Sequence, residues 1–343
     1  MVVRVNRQQA ATYICPATGS TLQLEIVTAV GDEVVNGVLR NSVNTSFPIL
    51  DGIPDFTWPP VLQASDAQTL QSYEDMAQDY DLYAALPFIT YLADEHGVRE
   101  RMVDKLELQA DSKVLEIGCG TGRGAAHLAR RLGNGGKLYL QEISPSLLVI
   151  AMKKLHAQSI TAECSIANGS YLPFLDNFFD AAHHFGGINT FSEIRRCLSE
   201  LTRVVKPGGK VVIGDEGLGP WLRNTEMGRI MTNSNPLLKC EPPLQSLPAT
   251  VTEVQLEYIM MGAFYVIEFR VASAQPLPDY HMKITSMRGG SHWTRYYGQL
   301  EGVSDEAKRL AHEARAKAGL SMHDWLDRTV REAANNELHN KSN

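Results

Sequence analysis

The sequence predicts an α/β protein: a doubly wound, seven-stranded, mostly parallel sheet, preceded by a small β-rich module and followed by a helical pair. Three observations carry this. Short apolar runs alternate with helical patterns through the middle of the chain, as βαβ units require. One run, Val114-Leu115-Glu116-Ile117, breaks directly into Gly118-Cys119-Gly120-Thr121-Gly122 ahead of a helix. The first 58 residues read differently, as short apolar stretches punctuated by Gly, Pro and Asn (YICP, LQLEIV, GVLRN, FPILDGIPDF).

At 343 residues the chain has room for a catalytic core and smaller attachments, and 44% hydrophobic with 21% charged residues is the composition of an ordinary globular protein. A formal net charge of -7 gives no electrostatic reason to gather on nucleic acid, so none is favoured as a partner. Five scattered cysteines without a CxxC pair argue for reduced thiols, no disulfide framework and no metal site. The chain shows no apolar run long enough to span a membrane and no secretory signal pattern, and cytoplasmic residence is the expectation.

Taken in order, the β-rich module covers 1–58 and a polar linker leads into a helix near Asp66, with Ser65 as its N-cap. A second helix is expected around 87–107. Strands follow at 113–117, 137–141, 160–166, 179–184 and 210–214, then an antiparallel pair at 251–259 and 265–272. Helices fall near 122–132, 145–156 and 193–205. The Pro-rich stretch 217–248 reads as an irregular insertion in a domain covering 66–290. Residues 291–338 form a strand-helix-helix extension, with helices beginning at Ser304 and Ser321, separated by Gly319.

The glycines after Ile117 permit a tight turn and close backbone approach to a ligand at a helix N-terminus. Glu142, twenty residues past Gly122, falls at the end of the next strand, where a carboxylate accepts the hydroxyls of a ribose. A nucleoside-bearing cofactor follows, and glycine spacing alone leaves a dinucleotide open.

Over a longer reach, VLEIGCGTG, QEISPSLLVIAMKK, IANGSYLPFLDNFFD and LTRVVKPGGKVVIGDE resemble, in order, the motifs of class I S-adenosylmethionine-dependent methyltransferases. The resemblance covers about residues 73–216 and implies S-adenosylmethionine as cofactor, with S-adenosylhomocysteine as product. It implies that Gly118, Gly120 and Gly122 cradle the aminoacyl end and that Glu116 orders this turn. It also implies that Glu142 binds the ribose, Ile143 packs on the adenine, and Asn168 with Gly169 lies at its amine. YEDMAQDYD resembles the opening segment of quinone-type methyltransferases, which makes Tyr73 and Tyr80 lid residues. The 1–58 module resembles the zinc-ribbon-like methyltransferase activator without its ligands, since Cys15 stands alone.

Methyl transfer needs alignment and exclusion of water more than acid–base equipment, but an acceptor hydroxyl or carbon must lose a proton. Strand alternation turns one of His183 and His184 to the cleft, and His184, beside Gly186-Gly187, is the expected one. His292, with Arg295 in GGSHWTRYYG (289–298), is the second catalytic candidate, on an expected pocket-closing loop. The expected reaction is methylation of an oxygen, carbon or sulfur nucleophile of a small metabolite. RNA or protein methylation is the alternative. A third reading is a cofactor-sensing DNA-binding regulator, because AGLSMHDWLDRTV resembles the ribbon-helix-helix module. With seven Lys/Arg against eight Asp/Glu in 301–343, that tail suits homodimerisation or docking better than DNA.

Overall fold

The computed structural model describes residues 5–285, 290–298, 300 and 303–339. A single turn of helix, α1 (Arg7–Ala10), starts on a capping box made by Asn6 and Gln9. An antiparallel meander follows, β1 (Gln23–Val30), β2 (Glu33–Arg40), β3 (Ser46–Leu50) and β4 (Ile53–Pro54), paired in chain order. The DGIP turn works as its sequence suggests: Asp51 and Gly52 both have positive φ (51° and 88°) between the paired Leu50 and Ile53, the geometry of a two-residue hairpin loop.

Three helices come next, α2 (Ala64–Met76), α3 (Tyr80–Thr90) and α4 (Glu95–Asp104). Two expectations change here. Helix α2 begins one residue before Ser65, on Gln63 without a side-chain cap. The single helix expected around 87–107 is broken, because Leu92 turns to φ 49° and the Asp94 carboxylate caps the N–H groups of His96 and Gly97 to start α4 afresh.

The large sheet is built from β5 (Lys113–Ile117), β6 (Lys137–Glu142), β7 (Glu163–Ile166), β8 (Phe179–Phe185), β9 (Val205–Glu216), β10 (Val251–Ile259) and β11 (Phe264–Val271). Its order is β7-β6-β5-β8-β9-β11-β10, and β11 runs antiparallel to both neighbours. Helices α5 (Ala125–Ala129), α6 (Pro145–Ala157) and α7 (Ile194–Val204) connect the parallel strands. Helix α5 is shorter than the expected 122–132 because Gly122 and Gly124 belong to the turn before it, whereas β9 is longer than the expected 210–214. The insertion 217–248 is less irregular than its prolines suggest: α8 (Glu226–Ser234) lies within it, capped by Thr225.

The front sheet and the large sheet share one core. Tyr13 and Phe56 pack 4.7 Å apart between Phe47 and Phe174, and Phe174 in turn meets Tyr139 and Phe179 from the large sheet. Backbone bonds cross the seam, Phe56 N–H to Ile166 O (2.7 Å) and Ile14 N–H to Pro173 O (3.0 Å). Residues through Gln275 form one compact unit.

The second unit, from Pro276 onward, holds α9 (His292–Tyr297), α10 (Asp305–Lys317) and α11 (Met322–His339). The caps at Ser304 and Ser321 are present. The expected loop at 289–298 is a helix instead: Ser291 and Thr294 form a capping box. Gly289 itself and the last four residues, 340–343, lie outside the described residues. No strand precedes α10 among the described residues of this unit, so the ribbon-helix-helix order is not reproduced. Met322 is fully buried here, and the Arg315 guanidinium lies over the Tyr296 ring at 4.9 Å.

Because the seam is apolar and continuous, Phe56→Ala is expected to lower the stability of the whole first unit by about 3–5 kcal/mol. Urea unfolding followed by circular dichroism checks this, with one shifted transition expected. An early, separate melting of the front sheet would contradict it.

Candidate active site

Strand β5 delivers its glycines to the point where the sheet's order reverses, between β5 and β8, which is where open α/β sheets bind ligands. Gly118, Gly120 and Gly122 all have positive φ (56°, 53° and 79°), a conformation that suits only glycine in succession. The space is also needed: a Cβ at Gly118 would lie 3.1 Å from the His184 ring, and one at Gly120 3.3 Å from Tyr80.

Glu142 at the end of β6 holds this turn. One carboxylate oxygen accepts from the Gly120 N–H (2.8 Å), the other from Ile143 N–H (2.9 Å) and Ser144 N–H (3.0 Å). Burial pushes its carboxyl upward, against the pull of these three donors.

Over the turn lies a cavity of about 540 Å³, counting its mouth, with Gly118, Gln141 and Glu142 along its base and Ile143, Leu147 and Phe191 as apolar walls. Tyr73 from α2 and Tyr80 from α3 close it, their rings edge to face at 5.8 Å. The cover is fastened by acids. Glu74 accepts from the hydroxyls of Ser144 and Ser146 at the start of α6, and Asp66 from the N–H (2.9 Å) and hydroxyl (2.6 Å) of Ser192. Asp81 accepts from the Thr121 hydroxyl (2.5 Å) and pairs with Arg123 and Lys154.

Two buried polar atoms of this cavity's lining have no partner among the described residues, Gln141 Oε1 and His184 Nε2. His184 Nδ1–H donates to the Ile117 carbonyl (2.8 Å), which leaves Nε2 as a bare acceptor. Asn168 accepts from Ser170 N–H (2.9 Å) and donates to Asp66 (3.4 Å). An unmet acceptor pair, apolar walls and a glycine cradle fit a nucleoside with polar edges.

A second cavity of about 850 Å³, also counting open space, touches the first at Gly118 and Tyr80. Tyr83, Phe88, Phe185 and Phe264 give it aromatic walls, and Glu116, Arg99, Arg123 and Glu216 are its buried or half-buried charged groups. Glu116 meets His183 Nδ1 at 3.2 Å, behind the strand.

The structure thus brings Tyr73, Gly118, Glu142, Ile143, Asn168, Gly169 and His184 to one cavity and Glu116 to its neighbour, with Gly120 and Gly122 in the turn between strand and helix. His292 is exposed at the start of α9 in the second unit. Sequence reasoning missed Asp66, Gln141 and Phe191. The signal for Phe191 was available in Gly186-Gly187, whose positive φ values (88° and 112°) turn the chain to bring it over the cavity.

Residues 115–213 match the family described as a methyltransferase domain. Among curated relatives, the ubiquinone/menaquinone biosynthesis C-methyltransferase UbiE of Chromobacterium violaceum is 35% identical over 106 residues, 31% of this chain and 43% of that one. The demethylmenaquinone methyltransferase of Bacillus mycoides is 29% identical over 151 residues, 44% of this chain and 62% of that one. The chain carries a class I, S-adenosylmethionine-dependent methyltransferase domain. It spans only about half the length of these relatives. Among solved structures, a SAM dependent methyltransferase from Aquifex aeolicus is 20% identical, covering 51% of this chain and 89% of that one with a TM-score of 0.38.

Two electrostatic features of the methyltransferase domain bear on chemistry. Asp215, fully buried, accepts from Asn189 N–H (2.7 Å) and Glu216 N–H (2.8 Å). Burial and this neighbour push the Glu216 carboxyl up to about 9, so it stays protonated at neutral pH. Burial pushes His184 the other way, down to about 4 from 6.5, so its imidazole is neutral at physiological pH.

A histidine with a depressed folded-state pKa contributes stability that is present above 6.5 and lost as the pH falls from there toward 4. Between pH 7 and pH 5 this group should account for about 2 kcal/mol of lost stability. Urea unfolding of His184→Gln at both pH values is expected to show that much less pH dependence than the parent, and equal slopes would refute the assignment.

Proposed function

We propose that the protein transfers the methyl group of S-adenosylmethionine to an oxygen, carbon or sulfur nucleophile of a small, largely apolar metabolite. The observation that carries this reading is the pair of cavities meeting at Gly118 and Tyr80, one walled for a nucleoside and the other by aromatic rings. Similarity over part of the chain to UbiE and to a demethylmenaquinone methyltransferase supports a quinol-like ring as the acceptor.

When bound, the cofactor supplies an electrophilic methyl on a sulfonium, open to in-line displacement. Glu142 holds the ribose hydroxyls, Ile143 and Phe191 enclose the adenine, and Asn168 with Gly169 borders its amine. Tyr73 and Tyr80 exclude water. The bare Nε2 of His184 accepts a hydrogen bond or, transiently, the acceptor's proton. With a pKa near 4 it is a weak resting base, so its main work is to orient a donor group.

Methyl-labelled S-adenosylmethionine incubated with the protein and with extract separated into metabolite, RNA and protein fractions tests the reading. Label is expected in the metabolite fraction, and label only in RNA or protein would overturn the small-molecule assignment. Loss of the charged acceptor in Glu142→Gln should weaken S-adenosylhomocysteine binding about 10- to 100-fold. Calorimetric titration measures this, and unchanged affinity would remove Glu142 from the cofactor's contacts.

A further inference from the structure

Away from both cavities, helix α4 presents His96 and Glu100 one turn apart on the same face, and α5 presents His127 to them. The His127 Nδ1 lies 2.6 Å from Glu100 Oε1, and the His96 and His127 ring centroids are 5.0 Å apart. One ligand atom from each of the three residues falls within 4.8 Å of the others. We propose that His96, Glu100 and His127 form a binding site for a divalent transition-metal ion such as Zn²⁺, bracing α4 against α5.

The donor set decides the metal class. Two imidazole nitrogens and one carboxylate oxygen suit Zn²⁺, Co²⁺ or Ni²⁺, whereas Mg²⁺ and Ca²⁺ ask for oxygen alone. Bonds of about 2.0–2.1 Å in a tetrahedron place ligand atoms about 3.3 Å apart, so closing the site needs side-chain movements of up to about 1.5 Å, including a slight opening of the 2.6 Å Glu100–His127 pair. Water takes the fourth position on that exposed side. His127 is only 8% exposed, so its ring is held in place by the packing around α5.

The surrounding charges set both the geometry and the strength. Arg131 holds the other Glu100 oxygen (2.5 Å), which leaves Oε1 oriented for the metal as an outer-shell partner does. The same arginine, with Arg130 3.8 Å from Oε1, adds positive charge and lowers the affinity for a cation. The ion would also reinforce what Arg123 and Glu95 already do, joining α4 to the segment just behind the glycine turn.

The sequence shows no metal site when read through its cysteines, because these ligands are two histidines and a glutamate, and the third lies 27 residues beyond the second. Calorimetric titration of the chelator-treated full chain with ZnCl₂ is the test, with MgCl₂ and the His96→Ala variant alongside. One saturable Zn²⁺ per chain, no Mg²⁺ binding, at least about tenfold weaker Zn²⁺ binding in the variant and a zinc-dependent rise in Tm confined to the parent are expected. His96 is exposed, so the variant should fold, and circular dichroism verifies it. Absence of saturable zinc binding to the parent, or equal binding by both proteins, would overturn the proposal and leave the cluster as an ion-pair network.

Discussion

The carboxylate of Glu142 is the tie on which the site depends. Three backbone N–H groups converge on it, one from the glycine turn after β5 and two from the turn that starts α6. These are the ends of adjacent strands, and without a shared acceptor each turn would leave donors pointing into a buried space. An anion there satisfies both. These three donors are why its burial is tolerated despite the cost of desolvating a charge.

Around this tie the domain arranges polar acceptors with care and leaves few of them spare. His184 is locked in one tautomer by the Ile117 carbonyl, and the Asp215 carboxylate is occupied by the backbone of Asn189 and Glu216. Two of the atoms left over, Gln141 Oε1 and His184 Nε2, belong to residues that line a cavity. Unmet polar groups in a folded protein mark places where something else completes the bonding.

Much of this was legible in the sequence. The run Val114 to Gly122 combines a buried strand, a glycine turn and a helix in nine residues, and each step has one physical reading. Glu142 and His184 followed from strand ends and alternation, which are local properties. Other parts were not legible, because their causes are distant. Asp66 resembles an ordinary first-turn acid, and only the fold shows it bonded to Ser192. The break between α3 and α4 hangs on Asp94 capping and a left-handed Leu92, in a stretch whose composition is helical throughout. Similarly, the helix at 292–297 hides behind a double glycine that suggests a loop, and only the Ser291–Thr294 box overrides it.

The cover over the first cavity has an aromatic inner side and a charged margin. Glu74, Asp66 and Asp81 fasten it to hydroxyls, backbone and cations at three separate places, while Tyr73 and Tyr80 rest on the turn below. Lifting it breaks these polar contacts and also withdraws Phe88, on α3, from its packing against Phe185. The exchange of spent cofactor for fresh therefore costs apolar packing as well as polar contacts, and dissolved salt screens only the half-exposed Asp81–Lys154 part of it.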